Sequence, residues 1–119
     1  MDKKQKGGIM ADKEIKIKIS KDQKKITHIT SKKVQNGDQV RWICEDGHIF
    51  TVDFGWASPF SETSYKGEKL AGSANSETTD NTVMANASAV GYPLRFKYTV
   101  AVLVNNEILI SDPEVIIDP

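Results

Sequence analysis

Cys44, His48 and His28 are the side chains in this sequence best suited to hold a soft metal ion. Thiolate sulfur and imidazole nitrogen suit Zn or Cu(I). Structural zinc takes four protein ligands and catalytic zinc three. Cys44 and His48 supply two, and His28 is the one further candidate. No metal cofactor is therefore expected, and the pair reads as a buried thiol beside a core histidine. Cys44 with His48 could also pair as nucleophile and base. On one buried strand face, however, they would lack an oxyanion hole and access for substrate. The chain has no HExxH, no nucleophile elbow, no Walker loop and no Gly-rich dinucleotide turn. It is expected not to be an enzyme.

A second group of residues suits contact rather than catalysis. Gly55-Trp56-Ala57-Ser58-Pro59-Phe60 is an aromatic loop stiffened by a proline. Trp56 and Phe60, with Tyr65, could stack on a sugar ring or anchor a protein partner. The competing and favoured expectation is that Trp56 and Phe60 fold inward and plug one end of the molecule.

The elements that must position these residues are strands. Ile15, Ile17 and Ile19 alternate with Lys16 and Lys18, the period-two signature of a half-buried strand. Lys21 to Lys25 form a polar turn, Ile26 to Thr30 a short strand, and Asn36-Gly37 a further turn. Val40, Trp42 and Cys44 share one strand face, and His48, Phe50, Val52 and Phe54 share another. These strands are expected to form a hairpin, and a three-residue loop, Glu45-Asp46-Gly47, puts both sets on one buried face. Cys44 then stands across from His48, and Phe50 opposite Trp42. Residues 61–82 are small and polar and read as a long surface connection, with a short helical turn around Gly67 to Ala71. Thr82 to Ala85 is a candidate strand. Leu94 to Val104 alternates cleanly and reads as one long strand, turned back by Asn105-Asn106. Asp112-Pro113 interrupts the return, so Glu114 to Ile117 is expected at an edge or after a bulge. Short strands at regular intervals, with no helical periodicity, predict an all-β sandwich.

Composition sets the outer limits. A chain of 119 residues makes one domain, here 13–119 behind a basic tail at 1–12 expected to be disordered. Residues 1–33 carry eleven Lys against four acids, and residues 34–119 carry five Lys or Arg against twelve acids. A basic arm of this kind could seek nucleic acid or anionic lipid. Because the lysines alternate with isoleucines, a basic edge strand beside acidic ones is the better account. Neither nucleic acid nor membrane is expected as a partner. No run of about 18 apolar residues occurs, and the start lacks an apolar signal core. Cys44 is the only cysteine, which excludes an internal disulfide. A cytoplasmic protein is expected. The sequon Asn86-Ala87-Ser88 is then a chance match.

Several motifs together resemble the cupredoxins, the copper-binding β-sandwich family. Gly37-Asp38-x-Val40-x-Trp42 is similar to the strand opening their hairpin. His48 with Phe50, Val52 and Phe54 resembles the segment carrying the first copper histidine. Phe96-x-Tyr98-x-Val100 resembles the aromatic strand leading to the copper cysteine, and residues 112–117 resemble the last strand. The resemblance implies a Greek-key sandwich over residues 13–118. It also implies a copper site of two His, one Cys and a weak axial ligand. Only His48 matches. Val100 stands where the cysteine should be, and residues 101–119 contain no Cys, His or Met. The expectation is a copper-free cupredoxin-like module that binds an unknown protein partner or serves as an accessory domain. One alternative is a metal-binding protein using His48 and Cys44. Another is a carbohydrate-binding module using Trp56.

Overall fold

The computed structural model describes residues 13–29 and 33–119, so the expected tail at 1–12 lies outside the described residues. Among the described residues the regular structure is almost wholly strand: β1 (Lys13–Ser20), β2 (Lys25–Ile29), β3 (Lys33–Val34), β4 (Gln39–Cys44), β5 (Phe50–Asp53), β6 (Ser64–Lys69), β7 (Ser76–Glu77), β8 (Asn81–Thr82), β9 (Leu94–Lys97), β10 (Thr99–Val104), β11 (Glu107–Ser111) and β12 (Glu114–Ile117). One sheet runs β11-β10-β5-β6-β7-β4-β1-β2, with β8 paired to β4; a second runs β3-β12-β9. The ends of the first sheet, β2 and β11, approach each other, which makes the whole nearly closed and barrel-like. Among the described residues no helix is long and apolar enough to cross a membrane.

Alternation builds the walls. Ile15 and Ile17 of β1, Val40, Trp42 and Cys44 of β4, Phe50 and Val52 of β5, and Val100 and Val102 of β10 all point inward and are fully buried. Trp42 forms the centre of an aromatic cluster with Phe54, Phe60, Tyr65 and Tyr98, at ring separations of 5.6–6.1 Å. Its indole N–H donates to the Tyr98 hydroxyl at 3.2 Å, so both buried polar atoms are satisfied. Asn105-Asn106 turns β10 into β11 with φ of 49° and 66°, the left-handed pair that a two-residue hairpin turn needs.

Four expectations are corrected. The first is the hairpin: β4 and β5 do not pair. The chain turns at Glu45-Asp46, with the Gly47 N–H on the Cys44 carbonyl, and crosses to the facing wall. Phe50 lies beside Val102 and Gly67, not opposite Trp42. Inward alternation is satisfied equally by strands side by side and by strands facing across a core, so burial alone could not decide. The second concerns residues 61–82, which contain β6, β7 and β8. No helical turn forms near Gly67; that residue sits in β6 directly under the Phe50 ring. Among the described residues the only helical piece is a 3-10 turn at Ala87–Ala89, capped by the Asn86 side chain. The third is the strand at 94–104, which is two strands in two sheets. Tyr98 is the joint: β9 pairs with β12, and β10 with β5 and β11. The last is the edge position considered for β12, which instead lies in the middle of its sheet, between β3 and β9.

Candidate functional site

Cys44 ends β4 with its thiol sealed in the core. Burial pushes its pKa up, partly offset by the backbone N–H groups of His48 and Asp46, which reach the sulfur. The contact between Cys44 and His48 is thus made by the histidine backbone, while its ring Nε2 is buried without a hydrogen-bond partner among the described residues. His28 is exposed on β2 in register with exposed Lys18, away from the buried thiol. Among the described residues no group of three or more His, Cys, Asp or Glu is placed to hold a metal ion. These three side chains form neither a ligand set nor a nucleophile–base pair that substrate can reach.

The aromatic loop splits. Phe60 goes inward, against Trp42, Phe54 and Tyr65. Tyr65 is half-buried and its hydroxyl donates to the Glu62 carbonyl. Trp56, expected to plug the molecule, is instead 95% exposed. The three do not form one exposed patch.

The loop that carries Trp56 is tied down on both sides. The Gly55 N–H donates to Asp53 Oδ1 at 2.8 Å, and the Ala57 N–H reaches the Phe54 carbonyl. Farther on, the Phe60 N–H donates to Ser58 Oγ, and the Pro59 carbonyl accepts the N–H groups of Met84 and Ala85. The buried Phe60 ring is the anchor. The outward indole thus belongs to an ordered loop rather than a fraying end.

Beside Trp56 runs an open groove of about 450 Å³, with Asp53, Lys97, Tyr98, Thr99 and Asp112 on its walls. Its origin is the sheet switch. At Tyr98 the chain leaves β9 for β10, and at Asp112-Pro113 the partner strand leaves β11 for β12. The two sheets part there, with the Tyr98 N–H on the Pro113 carbonyl holding the corner at 3.0 Å. Thr99 pairs with Asp53 across β10 and β5, and its hydroxyl lies 3.0 Å from Asp112 Oδ1. The groove is therefore lined by two acidic residues, a lysine and a threonine beside one exposed indole. Its volume falls in the range of about 300–1,000 Å³ usual for small-molecule sites.

Sequence reasoning singled out Trp56 and the Asp112-Pro113 break, but missed Asp53, Lys97, Thr99 and Asp112 as neighbours of the indole. Only the Asp-Pro interruption signalled that this corner was special. Comparison with protein-family models, with curated proteins and with solved structures finds no match to this chain.

Proposed function

We propose that the chain is a non-enzymatic, copper-free binding module of cupredoxin-like Greek-key build that takes its ligand at the Trp56 groove. The observation that carries this reading is an indole 95% exposed on a loop pinned from both sides. A large apolar group carried outward on a pinned backbone is suited to contact, and the ordering entropy of the loop backbone is spent before any ligand arrives.

The Greek-key part draws support from strand order. The sequential strands β4 and β5 do not pair, and β5 lies antiparallel between its neighbour in sequence β6 and the distant β10. The copper-free part rests on residue chemistry. Val100 is fully buried, paired with Val52 and Ser111, and β10 and β11 are joined by two asparagines alone. The non-enzymatic part rests on the sealed thiol of Cys44, whose nearest imidazole presents its backbone instead of its ring. The same geometry gives the metal-binding alternative through His48 and Cys44 little support.

One mutant tests the reading. Trp56→Ala should leave the melting temperature nearly unchanged, because the ring contributes no burial. It should also abolish the capture of partners retained by the unmutated protein in a pull-down. A loss of about 3–5 kcal/mol, the figure for a buried aromatic ring, would sink the proposal. So would capture of the same partners by both proteins.

A further inference from the structure

The chemistry around Trp56 narrows what the groove takes. We infer that its ligand is a neutral carbohydrate, stacked on the Trp56 indole and hydrogen-bonded through its hydroxyls to Asp53, Asp112 and Lys97. This rests on the reading of the groove as the binding site and goes beyond it by naming a ligand class.

Charge decides among ligands. An anion would meet the carboxylates of Asp53 and Asp112, which share the groove with a single ammonium, Lys97. A cation would be drawn to the indole face and the carboxylates, but Lys97 opposes it from the same walls, and one indole in an open groove makes no cage. A neutral polyol meets neither conflict. Its hydroxyls donate to carboxylate oxygens and accept from an ammonium, and hydrogen bonds with a charged partner are the stronger kind. Its C–H face is apolar and flat enough to lie on an indole. A 95% exposed ring leaves that face open to a ring-sized ligand.

The carboxylates are already positioned. Asp53 Oδ1 accepts the Gly55 N–H, which orients the carboxylate beside the loop carrying the indole. Asp112 Oδ1 and Thr99 Oγ1 are joined at 3.0 Å, which fixes the opposite wall. Asp53 ends β5, and Asp112 lies in the two-residue link between β11 and β12, where the Tyr98 N–H on the Pro113 carbonyl holds the corner, so the two carboxylates keep their places when the ligand leaves.

The chain has two tryptophans, which makes the test direct. Trp42 is buried and hydrogen-bonded, whereas Trp56 is exposed. In proton–nitrogen NMR their two indole N–H signals are assigned by loss of one in Trp56→Ala. The probes are cello-, xylo-, manno-, chito- and malto-oligosaccharides. At least one should move the Trp56 signal saturably and leave that of Trp42 in place. Asp53→Asn and Asp112→Asn should each weaken that ligand about tenfold or more, and an unmoved Trp42 signal certifies that each variant is folded. If no probe moves the Trp56 signal, or if both Asn variants bind as the parent does, the inference is overturned. If a lysine-rich peptide or an acidic glycan moves it instead, the carbohydrate assignment falls but the groove stands as a binding site. If Trp56→Ala also captures the same partners as the parent, both fall.

Discussion

A methyl group added at Gly67 tests the packing that defines β6. An ideal Cβ there would lie 2.0 Å from Phe50 Cε1, 2.1 Å from Cζ and 2.5 Å from Cδ1. Such separations are far below contact distance. The Phe50 ring is only 1% exposed, so it has no free volume to move into. Overpacking in a dense core costs about 1–3 kcal/mol. Expelling the ring altogether would approach the loss for Phe→Ala, about 3–5 kcal/mol. Gly67→Ala should therefore lose roughly 3 kcal/mol, measured by urea denaturation, although the backbone of this residue is ordinary strand. Phe50→Ala should lose about 3–5 kcal/mol, and Thr51→Ala, exposed on the outer face, well under about 1 kcal/mol. The decisive measurement is the double mutant. With the ring gone, the added methyl meets no clash, so Phe50→Ala with Gly67→Ala should be no less stable than Phe50→Ala alone. That is a favourable coupling of a few kcal/mol. Additive losses, or a Gly67→Ala variant of parental stability, would refute the packing account.

The Tyr98 hydroxyl, buried beneath the Trp42 indole, has its pKa pushed up by desolvation to about 12. The unfolded chain therefore releases this proton first. Stability is intact below about pH 10 and is lost from there towards 12, by roughly 3 kcal/mol in all; Tyr98→Phe should flatten that alkaline decline in urea melts. Cys44 should react with an aromatic disulfide reagent only as fast as the protein opens, since its thiol is sealed and its pKa raised. Rapid labelling of the native protein would contradict that burial. Asn106→Val, at φ 66°, should cost about 1–2 kcal/mol by calorimetry. Added Cu(II) should give no intense thiolate-to-copper absorption in the visible spectrum, because the thiol of Cys44 is sealed in the core and no group of three or more metal-binding side chains lies among the described residues.

Local rules were legible in the sequence; assignments between sheets were not. The inward residues of β1, β4, β5 and β10 and the turns at Asn36-Gly37 and Asn105-Asn106 follow from alternation and turn chemistry. The β4–β5 hairpin failed because Trp42 and Phe50 reach one core from facing walls, a situation with the same pattern as a hairpin. The strand switch was hidden because Tyr98 points inward and so continues the alternation of both β9 and β10. β6 was invisible for another reason. Its inner face needs only Tyr65 and Gly67, since the Phe50 ring fills the space a side chain would take. The site suffered from the same blindness. Trp56 announces itself, but Asp53, Lys97 and Asp112 become neighbours only once both paired strands change sheets at one corner.

The seam where β2 approaches β11 bears on how copies of this chain meet one another. The first sheet ends at these strands, so each presents an edge of backbone groups that could zip onto another molecule. Lys24, Lys25 and His28 crowd the β2 side, and Lys24 reaches Glu107 at the head of β11. Two β2 edges brought together would set lysine against lysine. Lys24 and Lys25 thus place like charge on this border, an arrangement that disfavours edge-to-edge pairing of copies. Replacing Lys25, which stands on the exposed face of β2, with threonine would keep the strand while lowering the barrier to edge-to-edge growth.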